Sequence, residues 1–308
     1  MDRSPAYVGY SAKYTRSRSI RSLPRSAYRF IKSKIIFDLA LYPYAVYRHR
    51  QLLRHCDRTQ SHTYTCFLRG PAQLRALAGP VMDFLDNPER KGERLEILLM
   101  ACSIGAEAYT IASWLTTQVP GLDFHITASD LHQEMVDRAR EGSYSENEAL
   151  HSKYITPEFI AATFERAGDR YVVRDALRKK VTFHQANLLD GEQLRHLFAP
   201  APIVIAQNVL FHLAPDDATN AFSNLVGLLA PRAVLLVEGM ELDLRARLTK
   251  RHGLVPLDHD IRRIYEETRV HTPPDWWNYY WGTEPYSPLR QEANRYFGTI
   301  FLKGGQES

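Results

Sequence analysis

The amino-acid sequence predicts a doubly wound α/β domain, in which a mainly parallel sheet is covered by helices. From residue 93 onward, short apolar runs alternate with helical patterns, and this alternation is typical of a parallel sheet. Small or polar residues follow the ends of these runs, where ligands bind in open α/β sheets. With 308 residues, 44% of them hydrophobic and 24% charged, the chain can bury a sizeable core, which excludes wholesale disorder, collagen and coiled coil.

Each strand prediction rests on a short apolar or β-branched run bounded by turn residues. The predicted strands cover residues 95–101, 124–128, 181–185, 203–207, 233–238, 253–257 and 296–302. Helices are predicted over residues 71–85, 106–115 and 215–229, from residue 133, and after residue 238. Pro215 supports the third of these helices because proline is favoured in a first turn. The last two strands are expected to pair antiparallel at one edge of the sheet.

The N-terminal segment is strongly basic. Residues 1–55 hold 12 of the 39 Lys and Arg residues but only 2 of the 35 acidic residues, so the segment carries a formal charge of +10 and the remainder −6. We predict a basic arm with an amphipathic helix over residues 1–60, then a short helical segment and linker over residues 61–92. The arm is suited to an anionic surface such as nucleic acid or lipid headgroups; the alternatives are a solvated tail and a segment docked on the acidic body.

Cysteine usage and hydropathy narrow the class of protein further. The three cysteines, Cys56, Cys66 and Cys102, show no CxxC spacing, which argues against a disulfide framework or a zinc site. No run approaches the roughly 20 apolar residues of a membrane span. The basic N-terminus lacks the apolar stretch of a secretory signal. We therefore expect a cytoplasmic protein without a metal.

The turn after the first strand is the first candidate ligand site. Residues 101–107 (ACSIGAE) place small residues and a glycine between a strand and a helix, so a ligand can approach backbone N–H groups closely. The turn lacks the GxGxxG pattern, so a dinucleotide site is a weak interpretation, and simple packing is the alternative.

Polar residues follow the next three strands. Asp130 ends the second strand, where a carboxylate can accept hydrogen bonds from ribose hydroxyls; its alternative role is to cap the following helix. Asn187 and Asn208 follow the third and fourth strands. An amide at these positions suits an adenine edge or an amino-acid head group, or else is an ordinary turn residue.

The motifs of the chain, in order, are YTCFLRGPAQLRALA, CSIGAEAYT, ASDLHQEMVDRAREGSY, QANLLD, AQNVLFHL and VEGME. Together they cover roughly residues 63–241, and this arrangement resembles the catalytic domain of the CheR-type methyltransferases. Those enzymes use S-adenosylmethionine to methylate glutamate carboxylates on bacterial chemoreceptors. The resemblance implies a Rossmann-like class I methyltransferase fold over residues 93–308, with a seven-stranded mixed sheet and S-adenosylmethionine as the cofactor.

The resemblance also implies roles for individual residues. The candidate cofactor-binding residues are Ala101, Ser103, Gly105, Glu107, Asp130, Asn187, Leu188, Asn208 and Val209. Within this set, Gly105 and Glu107 match the turn near the methionine part of the cofactor, and Asp130 matches the ribose-binding aspartate. Residues 187–188 match the pair beside adenine, and residues 208–209 match the fourth-strand pair that lines the cofactor site.

The sequence departs from the family pattern in ways that bear on the acceptor. Ala106 and Ala108 stand in a turn that usually carries two adjacent glutamates and a proline, so one carboxylate is left for the ammonium of the cofactor. Gly70 replaces the acid that often follows the motif arginine, and His212 replaces the usual tyrosine. We expect the helical N-terminal domain that helps to engage receptors to be largely absent, since only the basic arm and one or two predicted helices precede Arg69. The insertion 258–295 carries the aromatic residues Trp276, Trp277, Tyr279, Tyr280, Trp281 and Tyr286. These aromatic residues either contact a flat acceptor or form a structural plug or a subunit contact.

Two residues are candidates for catalysis. Arg69 matches the arginine near the transferred methyl group, and it can orient an acceptor carboxylate, which is ionised at neutral pH because its pKa is about 4. His212 can instead act as a base toward a phenol, hydroxyl or amine. We predict an S-adenosylmethionine-dependent methyltransferase whose acceptor, a small molecule or a protein carboxylate, is not a chemoreceptor. The alternatives are a protein-glutamate O-methyltransferase of the chemotaxis type and a non-catalytic regulatory protein that binds the cofactor.

Overall fold

The structure is a computed structural model, and it describes residues 65–86, 92–268 and 286–304. The predicted basic arm and amphipathic helix of residues 1–60 lie outside the described residues, and so do most of the linker and the aromatic residues at 276–281. The predicted boundaries of the three segments therefore stay predictions.

A seven-stranded mixed sheet forms the centre of the described chain. The strands are β1 (Leu95–Met100), β2 (Phe124–Asp130), β3 (Ser143–Tyr144), β4 (Phe164–Ala167), β5 (Arg170–Val173), β6 (Val181–Gln185), β7 (Ala201–Gln207), β8 (Leu229–Glu238), β9 (Val255–Pro256) and β10 (Ile300–Lys303). The large sheet has the order β6-β2-β1-β7-β8-β10-β9. Its first five strands are parallel, and β10 pairs antiparallel with both β8 and β9. The predicted doubly wound α/β fold, with a seven-stranded mixed sheet, is confirmed.

Helices cover both faces of this sheet. They are α1 (Pro71–Ala76), α2 (Met82–Leu85), α3 (Ala106–Gln118), α4 (Gln133–Glu141), α5 (Glu146–Leu150), α6 (Pro157–Thr163), α7 (Asp175–Arg178), α8 (Gly191–Leu197), α9 (Pro215–Gly227), α10 (Leu242–Arg251), α11 (Ile261–Thr268) and α12 (Ala293–Phe297). A π-helical turn, Leu77–Val81, joins α1 to α2 and contains Pro80. Because proline lacks the N–H group of a regular helix, a π-turn is a natural place for it. The predicted helix over residues 71–85 is therefore confirmed in an irregular form.

The alternation of side chains along the central strands builds two cores, one on each face of the sheet. Ile97 and Leu99 of β1 belong to the core that includes α1, α3 and α4. Leu98 and Met100 belong to the core that includes α8, α9 and α10. All four side chains are at most 4% exposed, and full burial of such a side chain stabilises the fold by roughly 1.5–3 kcal/mol.

The predicted strand over residues 296–302 is wrong in its first half. Tyr296 and Phe297 end helix α12, and only Ile300–Lys303 forms a strand. A short aromatic and aliphatic run fits a buried helix as well as a strand, so its periodicity did not decide between them. The expected antiparallel pair is present, although β10 lies between β8 and β9 and the edge strand is β9.

A second sheet was not predicted from the sequence. It has three antiparallel strands in the order β3-β5-β4 and lies between α4 and β6 in the sequence.

Tyr286 belongs to the aromatic-rich insertion. It packs beside Tyr265 and Phe297, with ring centroids 6.4 and 4.9 Å away. For this one aromatic residue the structure supports the packing role.

Gly239, directly after β8, lies where there is no space for a side chain. Its φ is +65°, and an added Cβ would lie 2.5 Å from Cα of Asn208 and 2.5 Å from the ring of Phe211. Gly253 has nearly the same φ, +66°, but open space around it. Gly253→Ala should therefore cost about 1–2 kcal/mol, the cost of a left-handed alanine. Gly239→Ala should cost about 1–3 kcal/mol more through overpacking. Urea unfolding of both variants measures the difference, and equal losses would show that the close approach to Asn208 carries no energetic weight.

Candidate active site

The candidate residues meet at the carboxyl edge of the parallel strands. Strand β1 lies between β2 and β7, and the chain crosses from one side of β1 to the other there, which makes this edge the topological switch point. Asp130 ends β2, Asn208 follows β7, and Glu238 ends β8 opposite Gln207. The sheet order thus brings together polar residues that are far apart in sequence.

The turn between β1 and α3 is held in an unusual backbone conformation. Ala101, Ser103 and Gly105 have φ values of 59°, 49° and 83°, all in the left-handed region. Each non-glycine residue in that region costs of order 1–3 kcal/mol. An added Cβ at Gly105 would lie 2.9 Å from Cβ of Ala139, so this position requires glycine for close helix packing as well as for its φ. Cys102, in the same turn, is 1% exposed, and burial raises the pKa of its thiol, as expected for a small buried residue.

Asp130 fastens this turn to the second strand. One carboxylate oxygen accepts the backbone N–H of Ser103 at 2.7 Å, and the other accepts that of His132 at 3.0 Å. Asp130 is 8% exposed. A carboxylate has about four acceptor positions, so these two bonds leave capacity on both oxygens. The N-cap residue of α4 is His132, and the helix has no side-chain cap, so the bond to Asp130 is made by the residue before the helix and is not a cap. The ribose contact stays a prediction.

A partly buried charge cluster lies beside the turn. Arg69 precedes α1, Glu107 is the second residue of α3, and Glu238 ends β8. Burial raises the pKa of Glu107 from 4.5 to about 7; the charge of Arg69 opposes this shift and that of Glu238 adds to it. Burial alone would lower the pKa of Arg69, but Cys66, Glu107 and Glu238 raise it overall. At formal charges the three ionic side chains sum to −1, which suits a cationic ligand.

A small pocket adjoins this cluster. It is lined by Thr65, Cys66, Arg69, Gln73, Leu74, Leu77, Glu107, Thr110, Ile111, Ile205, Gln207 and Leu236. Its cavity volume is about 20 Å³, which is room for a single water-sized group. On its polar wall, the Gln207 amide donates to the Gln73 carbonyl oxygen, and the Gln73 amide donates to Thr299 at 2.9 Å.

Asn208 offers an unsatisfied donor at the same edge. Its φ is 54°, and its backbone N–H donates to the carbonyl of Glu238 at 3.0 Å. The side-chain Nδ2 is buried and has no hydrogen-bond partner. An unpaired buried donor is costly, so a ligand that accepts from it would relieve that cost. Val209 follows in the turn and is partly buried against the second core.

Asn187 occupies a different setting from Asn208. It is exposed, its side-chain oxygen accepts the N–H of Leu189 at 2.9 Å, and its own N–H donates to Gln193 at 2.8 Å. These bonds agree with the turn role considered from the sequence. Leu188 packs partly against the second core. The contacts of both residues with adenine stay predictions.

His212 ends a 3₁₀-helical turn, Leu210–His212, that follows Asn208. Its backbone N–H donates to the carbonyl of Val209 at 3.1 Å, and its ring lies 4.3 Å from that of Phe211. The structure therefore brings His212 to the same edge of the sheet as Asn208. Its role as a base stays a prediction.

Sequence reasoning missed Glu238 and the Gln73–Gln207 pair as candidate site residues. Glu238 could have been identified from the sequence, because it is an acidic residue at the end of a predicted strand. The glutamine pair joins residues 134 positions apart, and the sequence held no local signal for it. Arg69 was placed at the site by resemblance, and the structure brings it beside Glu107.

The residues fit the cofactor that the resemblance implies. S-adenosylmethionine carries an ammonium and a sulfonium against one carboxylate, so its net charge of about +1 at neutral pH complements the formal −1 of the cluster. The free Nδ2 of Asn208 and the uncapped start of α3 at Gly105 add hydrogen-bond donors. Within the described ranges, no three His, Cys, Asp or Glu side chains come together as a metal site would require. None of the described helices combines the length and the apolar character needed to cross a membrane.

Comparison with known proteins gives consistent results. A family model described as "CheR methyltransferase, SAM binding domain" matches residues 63–251. The chain is 30% identical over 183 residues to chemotaxis protein methyltransferase 2 of Vibrio cholerae, covering 58% of this chain and 61% of that protein. It is 29% identical over 215 residues to the probable biofilm formation methyltransferase WspC of Pseudomonas aeruginosa, covering 68% of this chain and 49% of that protein. The chain thus spans about half to three fifths of the length of these curated relatives.

Among solved structures, the chain is similar to magnesium protoporphyrin IX methyltransferase from Synechocystis PCC 6803 with bound SAM. The identity is 15% and the TM-score 0.35, and the likeness covers 78% of this chain and 90% of that one. This likeness is too weak to support any inference about the substrate.

The raised pKa of Glu107 predicts a pH-dependent gain of stability in Glu107→Gln. A carboxyl whose pKa is about 7 in the folded state and 4.5 when unfolded contributes stability below pH 4.5 and loses it as the pH rises through 7. Glutamine does not titrate, so the variant should gain on the order of 2–3 kcal/mol relative to wild type between pH 5 and pH 8. Urea unfolding at both pH values measures this gain.

Glu192→Gln is the matched control for this measurement. Glu192 is also the second residue of its helix, α8, but it is exposed. Its substitution should change stability by the same amount at both pH values. If Glu107→Gln behaves in the same way, the carboxyl of Glu107 does not titrate near neutral pH in the folded protein.

Proposed function

Because this chain belongs to the CheR methyltransferase family and carries its S-adenosylmethionine-binding domain, we propose that it is an S-adenosylmethionine-dependent methyltransferase whose acceptor is a carboxylate on a protein. The observation that carries the choice of acceptor is the position of Arg69 at the pocket, beside Glu107. A guanidinium binds a carboxylate with good geometry and strength.

The relatives support the same acceptor class. Two of them are named for chemotaxis and for biofilm formation. These names fit the protein-glutamate O-methyltransferase of the chemotaxis type, raised as an alternative from the sequence, better than they fit a metabolite methyltransferase. The proposal therefore replaces the sequence-based preference for another acceptor with a protein carboxylate, and it leaves the acceptor protein to experiment.

In the proposed reaction, bound S-adenosylmethionine supplies a methyl group activated by its positively charged sulfur. Glu107 and Glu238 provide negative charge for the cationic parts of the cofactor. Asp130 keeps the turn at residues 101–105 in shape through Ser103, and Asn208 offers its unpaired Nδ2. These residues act by binding and orientation, which is where most of the rate enhancement in such a displacement arises.

Arg69 has the orienting role toward the acceptor. A carboxylate is already ionised at neutral pH, so it needs alignment and no base. A positioned hydrogen-bond partner can hold it in line with the methyl group. The cofactor cation also balances the cluster, since without it an acceptor carboxylate would meet a net formal charge of −1.

A second candidate function rests on His212. Its place on the turn after Asn208 keeps open a phenol, hydroxyl or amine acceptor, whose proton a neutral imidazole can accept. A purely regulatory, non-catalytic protein would still bind the cofactor but would transfer no methyl group. The cytoplasm is the compartment we propose, and the anionic partner of the basic arm at residues 1–60 stays a prediction.

Asp130→Ala tests the cofactor site. Loss of charge-assisted hydrogen bonds should weaken binding of S-adenosylhomocysteine about ten- to hundredfold. The substitution also leaves the N–H groups of Ser103 and His132 without their partner, so a stability loss of about 1–3 kcal/mol should accompany it. Calorimetric titration and urea unfolding measure the two effects. Asp137→Ala, at an exposed site on α4, is the control. An unchanged dissociation constant in a folded Asp130→Ala protein would rule out the ribose contact.

Arg69→Ala and His212→Phe together decide the acceptor class. For a carboxylate acceptor, Arg69→Ala should lower turnover about ten- to hundredfold through the lost hydrogen bond, and His212→Phe should change it little. For a phenol, hydroxyl or amine, His212→Phe should lower turnover roughly 10²–10⁴-fold and remove a rate limb near pH 6–7. Rates are measured from pH 5.5 to pH 9, so that the limb near pH 6–7 is recorded together with the rates at high pH, where Glu107 of the wild-type protein is ionised.

The assay for this pair uses labelled methyl transfer to a panel of acceptor proteins and small molecules. Alkali treatment then identifies the product, since carboxyl methyl esters release methanol and N-methyl groups do not. A wild-type protein that binds S-adenosylhomocysteine but labels no acceptor would favour the non-catalytic alternative. No binding at millimolar ligand would refute the proposed function altogether.

A further inference from the structure

The loop that carries Arg69 is held by distant parts of the chain. Leu68 and Gly70, on either side of Arg69, have φ values of 48° and 59°. Leucine disfavours this left-handed conformation, so contacts outside the loop must maintain it. The N–H of Leu68 donates to Thr110 at 3.0 Å, and its carbonyl accepts from Ser152 at 3.1 Å.

Helix α1 begins directly after this loop and has no side-chain cap of its own. Its N-cap residue is Gly70, and its first turn contains no acid. Pro71 has no N–H, and the carbonyl of Gly70 accepts the N–H groups of residues 73 and 74. The remaining first-turn donor is Ala72, and its N–H donates to a carboxylate oxygen of Glu267 at 2.6 Å. Glu267 therefore completes the start of α1 from a residue 195 positions away.

Glu267 is fixed in this position by two arginines. Its other oxygen lies 3.6 Å from Arg75 of α1 and 3.3 Å from Arg263 of its own helix. The Glu267 side chain is 13% exposed. These contacts place a carboxylate at the positive end of α1, where negative charge is favoured.

The position of Glu267 within its own helix is unfavourable. It lies in the last turn of α11, where the helix dipole disfavours acids, and no basic residue occupies that turn. Its capping hydrogen bond is therefore made to α1, and within α11 it forms the i,i+4 pair with Arg263. Glu267 also lies beyond residues 63–251, the part of the chain that matches the family model.

We propose that Glu267 is a positioning residue that sets the start of helix α1 and thereby holds the guanidinium of Arg69 at the pocket. The inference rests on the proposed function in one respect, the role of Arg69 toward the acceptor. It also has a consequence on the cofactor side. Arg69 opposes the rise in the pKa of Glu107, so a loosened Arg69 leaves Glu107 protonated at higher pH.

The test compares Glu267→Ala and Glu267→Gln with Glu266→Ala. Glu266 lies in the same last turn of α11 and forms the corresponding i,i+4 pair, with Arg262 at 2.8 Å, but its side chain is 45% exposed. The control therefore repeats the change in helix dipole and in surface ion pair without touching α1. Glu267→Gln retains the shape of the side chain, so it stays informative if Glu267→Ala does not fold.

Two measurements are made on each variant. The first is methyl transfer at pH 9, which should fall roughly three- to tenfold in the Glu267 variants, the scale of a lost helix cap. The second is the affinity for S-adenosylhomocysteine from pH 5.5 to 9. The affinity should decline as the pH falls and Glu107 becomes protonated. In the Glu267 variants the midpoint of this decline should lie about half a pH unit to one unit higher, and the affinity at pH 9 should be unchanged. A general loss of stability would not move this pH dependence.

The double variant with Arg69→Ala completes the test. If Glu267 acts through Arg69, then Glu267→Ala should add no further shift in the pH dependence once Arg69 is removed. Folded Glu267 variants with the wild-type rate and the wild-type pH dependence would overturn the proposal. A wild-type protein that binds no S-adenosylhomocysteine would instead refute the proposed function, and that result is obtained before any Glu267 variant is measured.

Discussion

Two carboxylates, Glu107 and Glu238, interact with one guanidinium, that of Arg69, at the edge of the sheet. The properties of the site depend on this excess of negative charge. Arg69 and Glu107 line a partly buried pocket, and the charge of Glu238 acts on both of them, so the three side chains carry a net formal charge of −1. Burial and like charge make the second carboxylate expensive to ionise, which is why the pKa of Glu107 rises to about 7. A cation beside these three side chains would reverse that cost. We therefore expect the three side chains together to favour a cationic ligand.

Backbone strain accompanies this electrostatic strain. Four of the six non-glycine residues with left-handed φ in the described chain, Leu68, Ala101, Ser103 and Asn208, stand in the loops that form the site. Such conformations persist only where contacts on several sides over-determine them. Asp130 provides these contacts for the turn after β1, and Thr110 and Ser152 provide them beside Arg69. The packing of the two cores beneath these loops therefore offsets the conformational cost of their left-handed residues.

The sequence predicted the sheet and the cofactor side of the site more fully than the acceptor side. Asp130 and Asn208 could be proposed as site residues because strand ends are visible in a sequence and parallel strands bring their ends together. Arg69 was proposed by resemblance, since its neighbour Glu107 lies on a different element and no local pattern joins the two. Glu238, Gln207 and Glu267 escaped because their contacts depend on strand order and helix docking. Residues 296–302 were misassigned for a related reason: Tyr296 and Phe297 favour a strand locally, but packing against Tyr265 and Tyr286 places them in a helix and a shared cluster.

The cofactor side and the acceptor side of the site depend on different parts of the chain. The cofactor side is built from strand–turn–helix units that are local in sequence and lie within residues 63–251, the part that matches the family model. The Arg69 loop and helix α1 lie in the same part, but two residues that bond to α1, Glu267 and Thr299, come from beyond residue 251. A change in the C-terminal helices can therefore move Arg69 by small amounts while Asp130, Asn208 and the turn after β1 stay where they are. Displacements of about 1 Å in a reacting geometry alter rates strongly. We therefore expect the C-terminal segment to retune the proposed acceptor alignment, and to affect the cofactor side only through the charge that Arg69 exerts on Glu107.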